Sequence, residues 1–406
     1  MCYRSAVTMA NASRRLWILV SLCCALSTGL ASADDFSTYD RRLDREFLLP
    51  DVLRGRLGGT VMDHLSDGRL LLLQTGLRFD TGLGFDVTES VELRVESSPG
   101  SRDFRYLGDL TLPATDPLWF QPGGFLTVAP EQGGIARIAV GNANVSVGIF
   151  STSDLTVPAI EPAAGTPAAL STQWYSSLGL GFVAAGHWVN DHQLAINTGN
   201  FVGSQVNLLD ASSNPLAPVA PPIVGSIPGA SGGVAQDSAG NLLIGIGAGA
   251  RVGEIRRFDE AAWPAGDLGY LADGALVTTR LSAGWLQTDA EGSLFIGGGD
   301  TFDTGSGDDD NFAIHDLSPL ARPRRLFDPD NTLFQGEEVD NAYSLVLNAP
   351  LRELYVWDNF VGNTRQVFVY VPVPEPASVV GLMAGALGLA AVVRRRGEMA
   401  ASCPRD

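Results

Sequence analysis

Residues Gly232–Asp237 read GGVAQD, residues 238–241 read SAGN, and the apolar run Leu242–Ile244 follows. A second stretch, from Gly284 to Asp289, reads GWLQTD, and AEGS leads from it into Leu294–Ile296. In both, a glycine stands five residues before an aspartate, and a polar turn leads into a second apolar strand. The pattern predicts a repeated unit of short antiparallel strands.

The same phrase recurs along the chain. Gly58–Asp63 and Gly186–Asp191 repeat it, and residues 124–129 and 343–348 are weaker copies. The spacing is too irregular for a strict solenoid, whereas four-stranded blades around a channel tolerate long loops and leave few exposed edges. We therefore predict an all-β fold, a β-propeller of about six blades with five or seven left open, and with a β-sandwich pair as the alternative fold. The repeat anchors are positions 63, 129, 191, 237, 289 and 348.

The phrases in residues 232–258 and 284–296 resemble blades of lactonase-like and NHL-like propellers. In lactonase-type propellers, acidic and amide side chains from several blades hold a metal at the channel, so the resemblance implies that such a site is one use of the recurring aspartates. A turn-forming role is the other use, because an aspartate at the start of a turn accepts hydrogen bonds from the backbone two residues on. We favour the turn role for the four aspartates, which are Asp63, Asp191, Asp237 and Asp289.

Composition narrows the class of protein. The four cysteines stand at positions 2, 23, 24 and 403, so residues 34–371 contain no disulfide and must be held by their core. All basic residues are arginine, and the formal net charge is −18. A field of that sign repels nucleic acid and anionic lipid. It is compatible with divalent cations and with neutral glycans.

Residues 1–33 have the pattern of a secretory signal peptide. Arg14 and Arg15 precede an apolar stretch from Leu16 to Leu30, and Ala31–Ala33 supplies a small-residue cleavage site. We expect signal peptidase to remove this segment, so the body of the protein is exported.

Residues 372–396 form a second targeting pattern. A Pro-Glu-Pro motif precedes the apolar span Ala377–Val393, which is long enough for one transmembrane helix at the short limit, and a basic cluster follows. Under the positive-inside rule the arginines stay cytoplasmic and the body lies outside. A plain single-span anchor is the alternative interpretation. The motif residues are Pro374, Glu375, Pro376, Arg394, Arg395 and Arg396.

This carboxy-terminal segment resembles the PEP-CTERM sorting signal of Gram-negative bacteria. The resemblance implies a membrane processing enzyme of the exosortase type as partner, and a final location at the outer surface or in the extracellular matrix. The tail 397–406 departs from the family, whose members usually end soon after the basic cluster. The predicted organisation is thus a signal peptide (1–33), an extracytoplasmic propeller (34–371), a sorting signal (372–396) and a short tail (397–406).

An acidic, glycine-rich loop follows the strand at Leu294–Ile296. Five aspartates and Asn311 fall within twelve residues, and such oxygen ligands suit calcium. The spacing is not that of an EF-hand. A solvated acidic loop is the alternative. The candidate calcium ligands are Asp300, Asp303, Asp308, Asp309 and Asp310.

No motif in the sequence indicates a catalytic residue. Residues 229–233 satisfy G-x-S-x-G, but that motif works as a strand-to-helix elbow and here it leads into a strand. Trp188 and Trp285 lie in strand-like phrases and are predicted to be core. Trp119, Trp174 and Trp263 lie beside Pro- or Ser-rich turns and are candidates for stacking on sugar rings.

These observations leave two functions. The first is an exported, surface-sorted, non-enzymatic protein of the exopolysaccharide or biofilm matrix, with polysaccharide as a partner and no nucleic acid. The alternative is a secreted metal-dependent propeller hydrolase or lactonase. They differ in whether acidic and amide side chains from several blades converge on one point.

Overall fold

The structure of the protein is a computed structural model that describes several ranges of the chain. Within them the chain forms six sheets and two short helices, a 3₁₀-helix at Trp263–Ala265 and α1 at Tyr270–Asp273. Residues 40–371 make one compact unit. The described ranges are 39–110, 125–132, 135–142, 146–152, 169–170, 173–176, 182–200, 202–212, 217–230, 232–279, 283–289, 293–297, 312–316, 344–357 and 365–372.

Each of the first three sheets is an antiparallel meander, and two of them gain a short parallel strand at the outer edge. Blade 1 consists of β3 (Arg56–His64), β4 (Leu70–Asp80), β5 (Phe85–Glu96) and β6 (Phe104–Leu110), with β10 (Ala169–Leu170) on β6. Blade 2 consists of β7 (Leu126–Val128), β8 (Ala136–Asn142), β9 (Ser146–Thr152) and β11 (Gln173–Ser176). Blade 3 consists of β12 (Phe182–Trp188), β13 (Gln193–Asn200), β14 (Gly203–Asp210) and β15 (Ala217–Ile227), with β19 (Leu268–Gly269) on β15.

The other three sheets follow the same plan, and the last one combines both ends of the compact unit. Blade 4 consists of β16 (Val234–Gln236), β17 (Leu242–Gly245), β18 (Glu254–Phe258) and β20 (Ala275–Thr279). Blade 5 consists of β21 (Trp285–Thr288), β22 (Ser293–Gly297) and β23 (Phe312–Asp316). Blade 6 consists of β24 (Ser344–Asn348), β25 (Glu353–Trp357) and β26 (Gln366–Pro372), with β1 (Tyr39–Arg41) and β2 (Phe47–Leu48).

The first strand of each blade lines a closed ring. In the described residues β3 packs against β7, β7 against β12, β12 against β16, β16 against β21, β21 against β24, and β24 against β3. Six sheets joined through their inner strands are the blades of a β-propeller. The predicted propeller is thus confirmed, and the β-sandwich pair is wrong, because the sheets close radially and do not stack as two layers.

The six inner strands run in the same direction. Val128 N donates to Asp63 Oδ2 at the ends of β7 and β3 (2.8 Å), and Thr288 Oγ1 donates to Gln236 O at the ends of β21 and β16 (2.5 Å). Leu347 N likewise donates to Gln287 Oε1 (2.6 Å). The propeller therefore has a face A, where the inner strands begin (residues 56, 126, 182, 234, 285 and 344), and a face B, where they end (residues 64, 128, 188, 236, 288 and 348).

The repeat seen in the sequence is the blade itself. All six anchor positions fall within three residues of the face B end of an inner strand, including those of the weaker copies, Ala129 and Asn348. The turn that follows each anchor joins the inner strand to the second strand of the same blade. Among the described residues each repeated pattern of strand, turn and strand thus corresponds to one blade, which agrees with the prediction of about six.

The amino-terminal strands close the ring. Phe47 and Leu48 pair with Val367 and Gln366 of β26, so blade 6 is built from both ends of the compact unit. Leu49 N donates to Arg365 O (2.7 Å) and continues this pairing. The sequence pattern of residues 40–56 does not distinguish helix from strand, and the structure shows that this segment is strand and loop. Its pairing partner lies more than three hundred residues away, which no local pattern could indicate.

The apolar core lies between the blades. Leu70–Leu73 is buried at every position, because β4 has packed neighbours on both faces. A proline-rich stretch such as residues 214–228 is typical of a loop, yet Ala217–Ile227 is the strand β15. Its register against β14 shifts twice, as expected where proline removes ladder donors near an edge.

Candidate functional site

The predicted calcium ligands, Asp300 to Asp310, lie outside the described residues. Their anchors are described: β22 ends at Gly297, which pairs with Trp285, and β23 begins at Phe312. Trp285 is the first residue of an inner strand, so both anchors of the acidic loop are at face A. The structure places the anchors of the loop and leaves the calcium hypothesis as a prediction.

The predicted signal peptide and sorting signal also lie outside the described residues. Within the described part of the chain, no helix has the length and apolar character needed to cross a bilayer. The last described strand, β26, ends at Pro372, two residues before Pro374 of the motif. Export, anchoring and processing therefore remain predictions.

Two of the recurring aspartates hold the turns predicted for them. Asp237 Oδ1 accepts hydrogen bonds from Ala239 N (3.0 Å) and Asn241 N (2.9 Å). Asp289 Oδ1 accepts from Ser293 N (2.6 Å) in the equivalent turn of the next blade. These contacts confirm the structural interpretation of both residues, since the carboxylates serve backbone donors.

The other two aspartates differ from the prediction. Asp63 joins blades, because its Oδ2 accepts from Val128 N while Oδ1 accepts from His64 N (2.8 Å). Burial raises the pKa of Asp63, and the adjacent His64 opposes that shift. In blade 3 the turn is held by Asn190 in place of Asp191, through Asn190 Oδ1 and the N–H groups of His192 and Gln193. The expected turn role of Asp191 was wrong by one residue.

The described histidines lie in different surroundings. His187 is on the inner strand β12, and burial lowers its pKa to about 4, so its imidazole is neutral at pH 7. His64 Nδ1 donates to Leu65 O (2.9 Å), and His192 Nδ1 lies 2.7 Å from Asp191 Oδ1 at the surface. Over the described ranges no three His, Cys, Asp or Glu side chains gather as a metal site would require.

The tryptophan predictions have mixed outcomes. Trp188 and Trp285 are buried, as predicted, and Trp188 Nε1 donates to Thr127 O of the neighbouring blade (3.1 Å). Trp263 was predicted to be an exposed sugar-stacking residue, but it is only 5% exposed. The 3₁₀ turn folds its indole onto the core between blades 3 and 4, and Nε1 donates to Gly240 O (3.0 Å). Trp119 lies outside the described residues, as does the side chain of Trp174.

A buried ionic network in blade 1 was missed by the sequence reasoning. Glu92 is fully buried, and its carboxylate accepts from Leu53 N (2.7 Å), Ser90 Oγ (3.0 Å) and Arg94 (2.8 Å). Arg94 in turn donates to Asp51 O (2.8 Å). The alternating charges of the β5 sequence Glu92-Leu-Arg94 were the available signal. This network clamps the chain that runs from blade 6 to blade 1.

Asp109 extends the same network at the edge of blade 1. It forms an ion pair with Arg54 and accepts a hydrogen bond from the Tyr106 hydroxyl (2.7 Å). Burial raises the pKa of Asp109, while Tyr106 and Arg54 oppose that change. Burial and the carboxylate together raise the pKa of Tyr106. The side chains satisfy one another, so the arrangement is a structural clamp.

A second network joins blade 6, blade 1 and the amino-terminal segment. Glu353 accepts from Arg45 (2.6 Å), from Arg102 (2.6 Å) and from the Tyr355 hydroxyl. The Arg102 guanidinium lies over the rings of Phe47 (4.9 Å) and Tyr355 (5.0 Å). Burial alone would raise the pKa of Glu353, but the hydrogen bonds from Tyr355 and Arg102 outweigh it and lower the pKa.

The hairpin between β4 and β5 exposes three large apolar side chains at face A. Phe79 is 57% exposed, Leu83 is 48% exposed and Phe85 is 37% exposed. Asp80 Oδ1 accepts from Gly82 N (2.8 Å) and Leu83 N (3.1 Å), so the turn is ordered by its own hydrogen bonds. The hairpin can therefore present apolar side chains to a ligand in a fixed arrangement.

Comparison with known proteins identifies similar folds. No protein-family model matches the chain, and no curated protein matches it. An α-L-arabinanase of Penicillium chrysogenum bound to arabinobiose is 12% identical, with a TM-score of 0.47, over 80% of this chain and 97% of that one. A carbohydrate-active enzyme of family AA12 from Trichoderma reesei is 13% identical, with a TM-score of 0.46, over 84% and 97%.

The WD40 domain of coronin from Toxoplasma gondii is another similar structure. It is 10% identical, with a TM-score of 0.41, and the match covers 84% of this chain and 88% of that one. At identities and TM-scores this low, none of these likenesses carries an argument about what the chain does.

Proposed function

We propose that the chain is an exported, surface-sorted protein whose propeller is a non-enzymatic binding platform in an exopolysaccharide or biofilm matrix. The supporting observation is how the repeated carboxylates are used. Asp63, Asp237 and Asp289 accept backbone hydrogen bonds at turns and blade seams, whereas a metal-dependent propeller needs such side chains to converge on one ion. This favours the binding platform over the metal-dependent hydrolase or lactonase, which is the alternative.

The proposed route of delivery uses both targeting patterns. Signal peptidase removes residues 1–33, and a membrane enzyme of the exosortase type recognises residues 372–396. In the compact unit both ends are at face B: β26 runs towards Pro372 there, and Arg42 N donates to Val369 O beside it (2.8 Å). A tether that follows Val371 would therefore begin at face B.

The test is processing in a Gram-negative host that contains an exosortase. The wild-type full chain and a variant with Pro374→Ala, Glu375→Ala and Pro376→Ala are compared in membrane and surface fractions. We expect the wild type to lose its carboxy-terminal segment and reach the surface or medium, and the variant to remain unprocessed in the membrane. Glu398→Ala, in the tail beyond the basic cluster, is the matched control and should behave as wild type.

Equal processing of the wild type and the triple variant, or no dependence on the exosortase, would contradict the sorting proposal. Hydrolysis of lactones or glycans that EDTA abolishes would instead establish the metal-dependent enzyme.

A further inference from the structure

The β4–β5 hairpin extends past the rest of blade 1. β3 begins at Arg56, which pairs with Leu77, so residues 78–80 have no partner on β3. On the other side of the hairpin, the last residue pair between β5 and β6 is Glu92 with Asp109, and β6 ends one residue later at Leu110. In the described residues, the pairs from Arg78 with Val87 to Asp80 with Phe85 are therefore made only within the hairpin. The result is a two-stranded finger at face A.

The end of the finger is preformed. Besides the two hydrogen bonds to Asp80 Oδ1, Gly84 N donates to Asp80 O (2.8 Å), and Gly84 has the positive φ of 77° that this turn requires. Leu83 is held at the tip by these bonds. A ligand that binds here meets an ordered surface, so little conformational entropy is lost on binding.

The two faces of the finger carry the same kinds of group. Because cross-strand partners share a face, Phe79 lies with Asp86 and with Arg56, which forms an ion pair with Asp86. On the opposite face Phe85 lies with Asp80, and Arg78 is 3.9 Å from Asp80. Each face thus offers one aromatic ring beside one Arg–Asp pair.

The charges of the finger restrict its ligand. The charges of its two arginines and two aspartates sum to zero, while the whole protein carries a formal net charge of −18. That field disfavours nucleic acid and anionic lipid. A neutral ligand suits the locally neutral finger if it has apolar surfaces for the rings and hydroxyl groups for the ion pairs. Sugar rings have both, and ligand sites usually combine aromatic surface with a few polar groups.

The finger is also on the side of the propeller that can reach such a ligand. Two other loop tips at face A expose apolar side chains, Val202 between β13 and β14 and Val252 between β17 and β18. Face B holds both ends of the compact unit. We propose that the β4–β5 finger binds neutral polysaccharide chains, with Phe79 and Phe85 stacking on sugar rings. This inference rests on the proposed function, which supplies the orientation of face A towards the matrix.

The test uses affinity electrophoresis of the full chain in gels that contain dextran, β-glucan or galactomannan. Wild type is compared with Phe79→Ser combined with Phe85→Ser. Leu276→Ser and Ile135→Ser change similarly exposed apolar residues elsewhere and serve as matched controls. We expect at least one polysaccharide to retard wild type and both controls, and the double variant to bind about tenfold more weakly. Equal melting temperatures establish that the variants fold.

Retardation by none of the three polysaccharides, or equal retardation of the double variant, overturns the inference. The double variant could also keep its polysaccharide binding and lose either binding to zwitterionic lipid vesicles or self-association. Either result would assign the finger to a membrane or to a second copy of the chain, and would overturn the inference as well. Normal sorting without retardation contradicts this inference alone. Retardation without exosortase-dependent processing contradicts the sorting proposal alone.

Discussion

At the scale of single residues, Arg102 joins three parts of the chain. Its φ is +59°, a conformation that L residues seldom adopt, and its N–H donates to Glu96 Oε1 (2.7 Å). That backbone turn directs the guanidinium to Glu353 and places it over Phe47 and Tyr355. Several contacts together maintain the unusual backbone conformation. Glu353 accepts the hydrogen bond from the Arg102 guanidinium and is therefore the residue to test.

Glu353→Gln should destabilise the protein by about 3 kcal/mol at pH 7, because two arginines would face an uncharged amide. The sign of the pH effect follows from the lowered pKa of Glu353. Its contribution is complete above the ordinary glutamate pKa of about 4.3 and is lost as the pH falls through the lower pKa of the folded state. Urea unfolding at pH 7 and pH 3.5 measures this.

The gap between wild type and Glu353→Gln should therefore narrow at pH 3.5. Asp44→Asn removes an exposed pairing with Arg42 and should leave the unfolding midpoint nearly unchanged at both pH values. A gap of equal size at both pH values would show that Glu353 does not act through its charge.

At the scale of elements, the closing strands decide whether the propeller is a ring. β2 pairs with β26, and Trp357 Nε1 of β25 donates to Thr60 O of β3 (3.0 Å) across the same seam. Leu49 is 3% exposed and packs with Met62 and Leu72, while its neighbour Leu48 is 68% exposed. Adjacent leucines in one segment thus have opposite environments.

Leu49→Ala should destabilise the protein by about 2–4 kcal/mol, because it leaves a cavity in the seam between blades 6 and 1. Leu48→Ala is the matched control and should change stability by less than about 0.5 kcal/mol. Urea midpoints measure the difference, and hydrogen exchange should be faster in β26 of the Leu49 variant. Equal effects of the two substitutions would mean that the closing segment does not pack as described.

Many of the strands were predictable from the sequence. The strands at Leu242, Leu294 and Leu354 follow from apolar runs bounded by turn residues. The pairing of β2 with β26 was not predictable, because the pattern of residues 40–56 is ambiguous and the partner lies at the far end of the compact unit. Trp263 was misplaced for a similar reason, since a proline-flanked turn can fold its indole inward or outward.

At the scale of the whole molecule, the propeller separates two faces with different features. Face B holds the turns of the repeated phrase and both ends of the compact unit, and face A holds the β4–β5 finger and the anchors of the acidic loop. Ion binding between those anchors would stabilise blade 5, because both anchors belong to that blade.

The calcium hypothesis for Asp300–Asp310 predicts that added calcium raises the melting temperature and that EDTA reverses the change. A variant with Asp308→Asn, Asp309→Asn and Asp310→Asn should lose this response. Asp259→Asn, an exposed acid in another blade, should keep it. A response kept by the triple variant would point to the channel and favour the metal-dependent enzyme, while no response in wild type would remove both metal hypotheses.

Local patterns in the sequence predict the strands and turns, the repeated units and the two targeting segments, because these depend on residues that are near one another in the chain. Only the folded ring shows which distant groups meet. Asn348 donates to Gly68 O (2.7 Å) across 280 residues, and Glu353 binds Arg45 across 308 residues. Those contacts exist only once the ring closes, because closure brings together segments that no local spacing relates.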